Sequence, residues 1–186
     1  MPKVITFSRT FPSYHPKKGQ PTWFVEKFWK SIYDTPYFNY LSDIEANFTN
    51  VFGMPDSHLH NIHNHKPKRH TIREGHRFEV GEMFSPRVWG NDVNPKNGRS
   101  GPYQSKQITI GPDIEIVKIF DFKLTPTLYY VDGRSYDLNN NFDLEIIDKI
   151  ATNDGLEYDD LMYWFKWPKP FDGQIICWNE EVAYGQ

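Results

Sequence analysis

The sequence is poor in cysteine, carries no large excess of either charge and has no long apolar run. Each shortage removes a class of protein. One cysteine, Cys177, leaves no partner for an internal disulfide. It lies in the apolar run QIICW, which predicts a buried core thiol and not a nucleophile. Lys and Arg number 21 against 24 Asp and Glu, so the formal charge of −3 gives no whole-molecule attraction to nucleic acid. No stretch of about 18 apolar residues is present to span a bilayer, and MPKVITFSRTF lacks the apolar core of a signal peptide. The expectation is a soluble, cytoplasmic protein with no membrane partner. Repeats and low-complexity tracts are also missing.

What is present argues for a packed core. Aromatic residues make up 17% of the chain and include six tryptophans, which excludes a disordered polymer. Fourteen prolines predict many loops between short elements. A length of 186 residues fits one domain spanning 1–186. Basic residues dominate between Lys66 and Lys106 and acidic ones between 132 and 160, so one face is expected to be positive.

Periodicity orders the elements. Residues 3 to 11 alternate as an opening strand. Thr22 is placed to cap a helix whose apolar positions include Phe24, Phe28 and Ile32. Residues 34–57 read as loop with a short helix near 42–50. FSPRVW (84–89) reads as a strand, with Pro86 implying an edge or a bulge. Residues 90–104 are turn-forming, and two strand-like runs follow around Gly111-Pro112. Asp132-Gly133 between aromatic runs predicts a hairpin. LEIIDKIATNDG reads as a helix ended at Gly155, LEYDDLMYWFKW as a second helix stopped by Pro168, and GQIICW as a closing buried strand. The order points to an α+β domain on a strongly bent sheet or small barrel with flanking helices.

The stretch KPKRHTIREGHRFEVGE surrounds Thr71 with cations. A threonine hydroxyl is a poor nucleophile until a base takes its proton, and a lysine does so when desolvation and nearby cations lower its pKa. Lys68 stands three residues before Thr71, with Arg69 and Arg73 as those cations. Residues three apart face opposite ways on a regular strand, so the pair needs a bend, for which Pro67 is placed. A basic strand end with a cap-forming threonine explains the same residues.

Lys68-Arg69-His70-Thr71-Ile72-Arg73, followed by Gly81-Glu82, resembles the K-x-x-T-I-R motif of the ASCH domain in the PUA-like superfamily. A second matching element, Asp154-Gly155-Leu156, opens the downstream stretch before a helix. The resemblance covers roughly residues 60–90, 105–124 and 150–178. Residues 10–22, 34–57, 90–104 and 125–141 look like insertions. It implies a PUA-like, mostly β pseudo-barrel with a cleft for RNA or modified nucleosides. Some members bind or cleave RNA, so the resemblance also implies an RNA-directed hydrolase; others are amidohydrolases that deacetylate N4-acetylcytidine with a lysine, a threonine and a glutamate. By position these become Lys68, Thr71 and Asp154, with Asp standing where the family has Glu; Glu157 is the alternative carboxylate. No cofactor is implied.

Ligand contacts are expected from Arg69, Arg73, Trp89, Arg99 and Tyr103, cations for phosphates and rings for unpaired bases. Trp23, Trp29, Trp164 and Trp167 are expected in the core. Asp159 and Asp160 suit the first turn of a helix. The histidines from His58 to His76 lack companion cysteines and read as exposed surface, with no metal. A non-catalytic interaction module, using the aromatic stretches 34–57 and 125–141, is the third class of function.

Overall fold

The computed structural model describes residues 1–52, 62–165 and 169–184. His58, His60, Trp167 and Pro168 lie outside them. The chain builds two compact units that alternate along the sequence. One comprises Met1–Arg9, Pro21–Pro67 and Met83–Ile114; the other comprises Thr10–Gln20, Lys68–Glu82 and Glu115–Gln186. No helix among the described residues is long and apolar enough to cross a membrane.

In the first unit, β1 (Lys3–Phe7) pairs in parallel with β3 (Met83–Trp89), which also pairs antiparallel with β4 (Gln107–Thr109). The two-residue strand β5 (Ile114–Glu115) joins β3 as well. Helix α1 (Phe24–Ile32) buries Phe24, Val25, Phe28, Trp29 and Ile32, the one-sided spacing that its sequence predicts. Its boundary residue is Trp23, in a left-handed conformation, one position later than the cap expected at Thr22. The Thr22 hydroxyl still receives the Phe24 N–H at 3.3 Å while donating to the Ser8 carbonyl at 2.6 Å. Residues 36–40 form a 3-10 turn leading into α2 (Leu41–Phe52), so most of the described part of 34–57 is helical.

Pro86 corrects an expectation: it stands in the central strand of this sheet, not at an edge. Its missing N–H faces Ile110, whose own N–H reaches the Pro86 carbonyl at 3.0 Å. The Ile110 carbonyl, left without that ladder donor, accepts the Trp29 indole N–H at 2.5 Å instead.

In the second unit, β2 (His70–Glu74), β9 (Phe171–Cys177), β6 (Lys118–Leu124), β7 (Leu128–Val131) and β8 (Arg134–Asp137) form an antiparallel sheet in that order. The β7–β8 turn is the expected hairpin, with positive φ at both Asp132 and Gly133. Helices α3 (Asn141–Asn153) and α4 (Tyr158–Trp164) complete the described part of this unit. The architecture is α+β with two open sheets; among the described residues no barrel closes, because β2 and β8 remain edges. Cys177 is buried in β9, and that burial pushes its thiol up to about 12, as the core reading required.

Strand β9 is buried from Gly173 to Cys177 and lies between β2 and β6. Its Gly173 has no room for a side chain: a Cβ there would stand 2.0 Å from the Arg73 carbonyl oxygen. Gly173→Ala is therefore expected to cost at least about 2 kcal/mol, since neither backbone can withdraw without breaking ladder bonds. Urea unfolding followed by circular dichroism measures this, and an unchanged midpoint would contradict the β2–β9 packing.

Candidate functional site

The residues singled out by K-x-x-T-I-R meet the end of α3. That helix closes with Asp154 at its C-cap and Gly155 at φ 79. Gly155 N–H bonds to the Thr152 carbonyl and Leu156 N–H to the Ala151 carbonyl, the two bonds of a Schellman ending. Gly is needed there for the left-handed turn, and Leu156 supplies the buried apolar residue that accompanies it. Asp-Gly-Leu is thus a helix stop that aims a carboxylate at β2.

The segment before β2 laces onto this helix end. Arg69 N–H bonds to the Asn153 carbonyl at 2.7 Å. Lys68 Nζ donates to the Asp154 carbonyl and to its carboxylate Oδ1, each at 2.5 Å. An ammonium at a helix C-terminus meets the negative end of the dipole, and here it also meets a full charge. The partners are deeply buried: Lys68 is 1% exposed and Asp154 7%. Burial pushes the Asp154 carboxyl above its ordinary value, opposed by the Lys68 charge and hydrogen bond, the Arg73 charge and a backbone hydrogen bond from Ile72.

His70 lies beside this pair, fully buried, with Nδ1 at 3.7 Å from Asp154 Oδ1 and its ring edge-on to Tyr184. Neither ring nitrogen makes a hydrogen bond among the described residues. The Ile150 backbone favours the proton weakly, without the geometry of a bond. Burial first, and the Lys68 charge second, hold His70 well below its ordinary value. Expected as exposed surface with the other histidines, His70 is instead buried, on the strand face it shares with Ile72, and its place against Asp154 had no sequence signal.

Thr71 occupies the opposite face of β2 with Arg73. It is 4% exposed, paired across the ladder with Ile176, and its hydroxyl makes no hydrogen bond among the described residues. Of the three catalytic candidates, Lys68 and Asp154 are in contact and Thr71 is on the adjoining strand. Arg69 points to Glu181 at 3.6 Å, a partly exposed pair worth little. Trp89, Arg99 and Tyr103 belong to the first unit. There the Trp89 and Tyr103 rings stand 5.3 Å apart at 50°, and Tyr103 is exposed at φ 63. Asp92 holds the base of that loop by accepting from Lys106 N–H, and Arg99 is exposed.

The second unit also contains a pocket of about 350 Å³ that sequence reasoning located only through Arg73. Tyr14, Trp164, Phe165 and Phe171 provide rings, and Arg73, Glu74 and Lys169 provide charge. Trp164, expected in the core, is half-buried and lines this pocket. Tyr14 comes from the 10–22 insertion, which docks on α4. Its hydroxyl donates to the Trp164 carbonyl at 3.0 Å, and Lys17 pairs with Asp160 at 2.7 Å. His15 Nδ1 accepts from Lys17 N–H, so Nε2 carries the proton and donates to the Asp160 carbonyl at 3.2 Å. Nothing in SYHPKKGQP announces that docking.

His63 packs edge-on to Tyr33, and His65 stacks on Trp23. No group of three His, Cys, Asp or Glu side chains among the described residues is arranged to hold a metal ion. Comparison with protein-family models, curated proteins and solved structures finds no match to this chain.

The burial of neutral His70 has a pH consequence. Unfolded, the imidazole takes a proton as pH falls through about 6.5; folded, it does so only at lower pH. Its contribution to stability is complete above 6.5 and is lost below, by up to about 1.4 kcal/mol per pH unit. Asp154 acts with the opposite sign, its raised carboxyl favouring the fold at low pH, and Lys68 and Tyr184 are the other ionisable neighbours. His70→Phe is expected to keep the neutral-pH melting temperature and to lessen the loss between pH 6.5 and 5.5. Equal acid sensitivity of both proteins would contradict the buried neutral ring.

Proposed function

We propose that the protein binds RNA or a modified nucleoside through the pocket of its second unit, in keeping with the ASCH and PUA-like resemblance of its motifs. One observation carries this reading: Arg73, the last residue of K-x-x-T-I-R, lines a pocket shared by Tyr14, Trp164, Phe165 and Phe171. Rings stack on any base face, and guanidinium and ammonium groups hold phosphate. The volume lies near the lower bound of about 300 Å³ for small-molecule sites, which suits a single splayed-out nucleotide. In the first unit, the exposed Tyr103 beside Trp89 offers a further stacking surface on a loop carrying Arg99. Fluorescence anisotropy with labelled single-stranded RNA tests this. Affinity is expected to fall as salt rises from 50 to 200 mM. Arg73→Ala and Trp164→Ala, with unchanged circular dichroism, are each expected to weaken binding by about tenfold. Binding indifferent to both substitutions, or no binding, would overturn the reading.

A second reading, the amidohydrolase, is favoured by the 2.5 Å contact of Lys68 with Asp154. Transfer of the Lys68 proton to Asp154 across this contact would leave a neutral amine and a protonated carboxyl, the uncharged forms that burial favours. Neutral Lys68 is the base that Thr71 needs, and Thr71 then attacks the acyl carbon. Protonated Asp154 gives its proton to the leaving cytosine amine as the C–N bond breaks, and a water then hydrolyses the acetyl-Thr71 ester to release acetate. N4-acetylcytidine should release acetate with the wild-type protein and not with Thr71→Ala. Acetate release that persists in Thr71→Ala, or none with the wild type, removes this reading.

A further inference from the structure

We infer that the pocket of the second unit selects a guanine nucleotide, with Glu74 reading the base and Arg73 and Lys169 holding its phosphate. The inference rests on the nucleoside-binding reading above and names its ligand class. Among the described residues, Glu74 is the one carboxylate lining the pocket, and it makes no hydrogen bond or ion pair with any of them. An ionised carboxylate offers two acceptor oxygens side by side and no donor. A base that satisfies both must present two adjacent N–H groups on one edge. Guanine does so with N1–H and the exocyclic N2–H.

The other bases meet Glu74 less well. Cytosine and adenine each present one amino donor next to a ring-nitrogen acceptor, which would face the second carboxylate oxygen and repel it. Uracil presents a single N–H between two carbonyls. Pairing an acceptor-only side chain with a Watson–Crick edge, and stacking the ring between aromatic side chains, is how extruded bases are read. Tyr14 is a poor competitor for that edge because its hydroxyl is already directed at the Trp164 carbonyl.

The charge balance favours a nucleotide over a free base. Among the described lining residues, Arg73 and Lys169 carry positive charge and Glu74 one negative charge, so the lining favours an anionic group. The planar guanidinium matches phosphate oxygens two at a time, and the lysine adds a point charge. The volume of about 350 Å³ leaves little room beyond one nucleotide.

Isothermal titration of the whole chain with GMP, AMP, CMP and UMP tests the inference. GMP is expected to bind at least about tenfold more tightly than the others, the scale of one bidentate base contact. In Glu74→Ala, an exposed position whose loss leaves the fold intact, that preference should shrink to within about twofold while the other nucleotides bind at least as tightly as before. Lys169→Ala should weaken GMP and leave guanosine unchanged. Equal affinity for all four nucleotides overturns the base reading and leaves nucleotide binding standing. A guanine preference that survives Glu74→Ala overturns the assignment of Glu74. No binding of any nucleotide, alongside Arg73-dependent binding of single-stranded RNA, overturns the inference alone. Loss of both overturns the nucleoside-binding reading as well.

Discussion

The ammonium of Lys68 closes the C-terminus of α3, and the arrangement of the candidate site depends on that contact. A helix end leaves carbonyls without partners, and in a buried setting each one is costly. Here the Asn153 carbonyl takes the Arg69 N–H, and the Asp154 carbonyl takes Lys68 Nζ. Removing either charge of the Lys68–Asp154 pair from water costs several kcal/mol, so the extra hydrogen bonds are what make the pair tolerable. Because Lys68 and Arg69 lead directly into β2, the helix end also fixes where that edge strand begins. His70, Thr71 and Arg73 inherit their positions from it.

The same contact organises charge across the strand. Asp154 receives the Lys68 hydrogen bond, the field of Arg73 and a backbone bond from Ile72. Arg73 in turn lines the aromatic pocket. A change of protonation at Asp154 would therefore be felt by the guanidinium that lines the pocket. The pocket and the buried pair are linked by electrostatics, with no movement of the backbone required.

Much of this was legible from residue order. The hairpin at Asp132-Gly133 and the burial of Cys177 follow from turn chemistry and apolar runs, whereas the meeting of Lys68 with Asp154 was expected only from the resemblance. Other features depended on groups far apart in the chain. Pro86 sits in a central strand only because Trp29 donates to the carbonyl that the proline leaves unpaired, a match no local pattern records. Trp164 was assigned to the core from its helical spacing, yet the short helix ends there and leaves the ring half-buried in the pocket. Tyr14 reached the pocket through an ion pair between Lys17 and Asp160, residues 143 apart. No barrel closes among the described residues because β2 and β8 find no partner there to join them.

Strand β9 lies between β2 and β6 in space but follows both in sequence. During synthesis, β2 and β6 must therefore wait, unpaired with each other, until Phe171–Cys177 emerges to bridge them. The chain also passes between its two units after Arg9, Gln20, Pro67, Glu82 and Ile114, so neither can be completed from a contiguous segment. Contacts of such long sequence separation fold slowly and leave strand edges exposed meanwhile. The Lys68 side chain, whose partner lies 86 residues downstream, spends that interval in water. Formation of the site is then a late event of folding, and chaperone demand should track the arrival of the final strand.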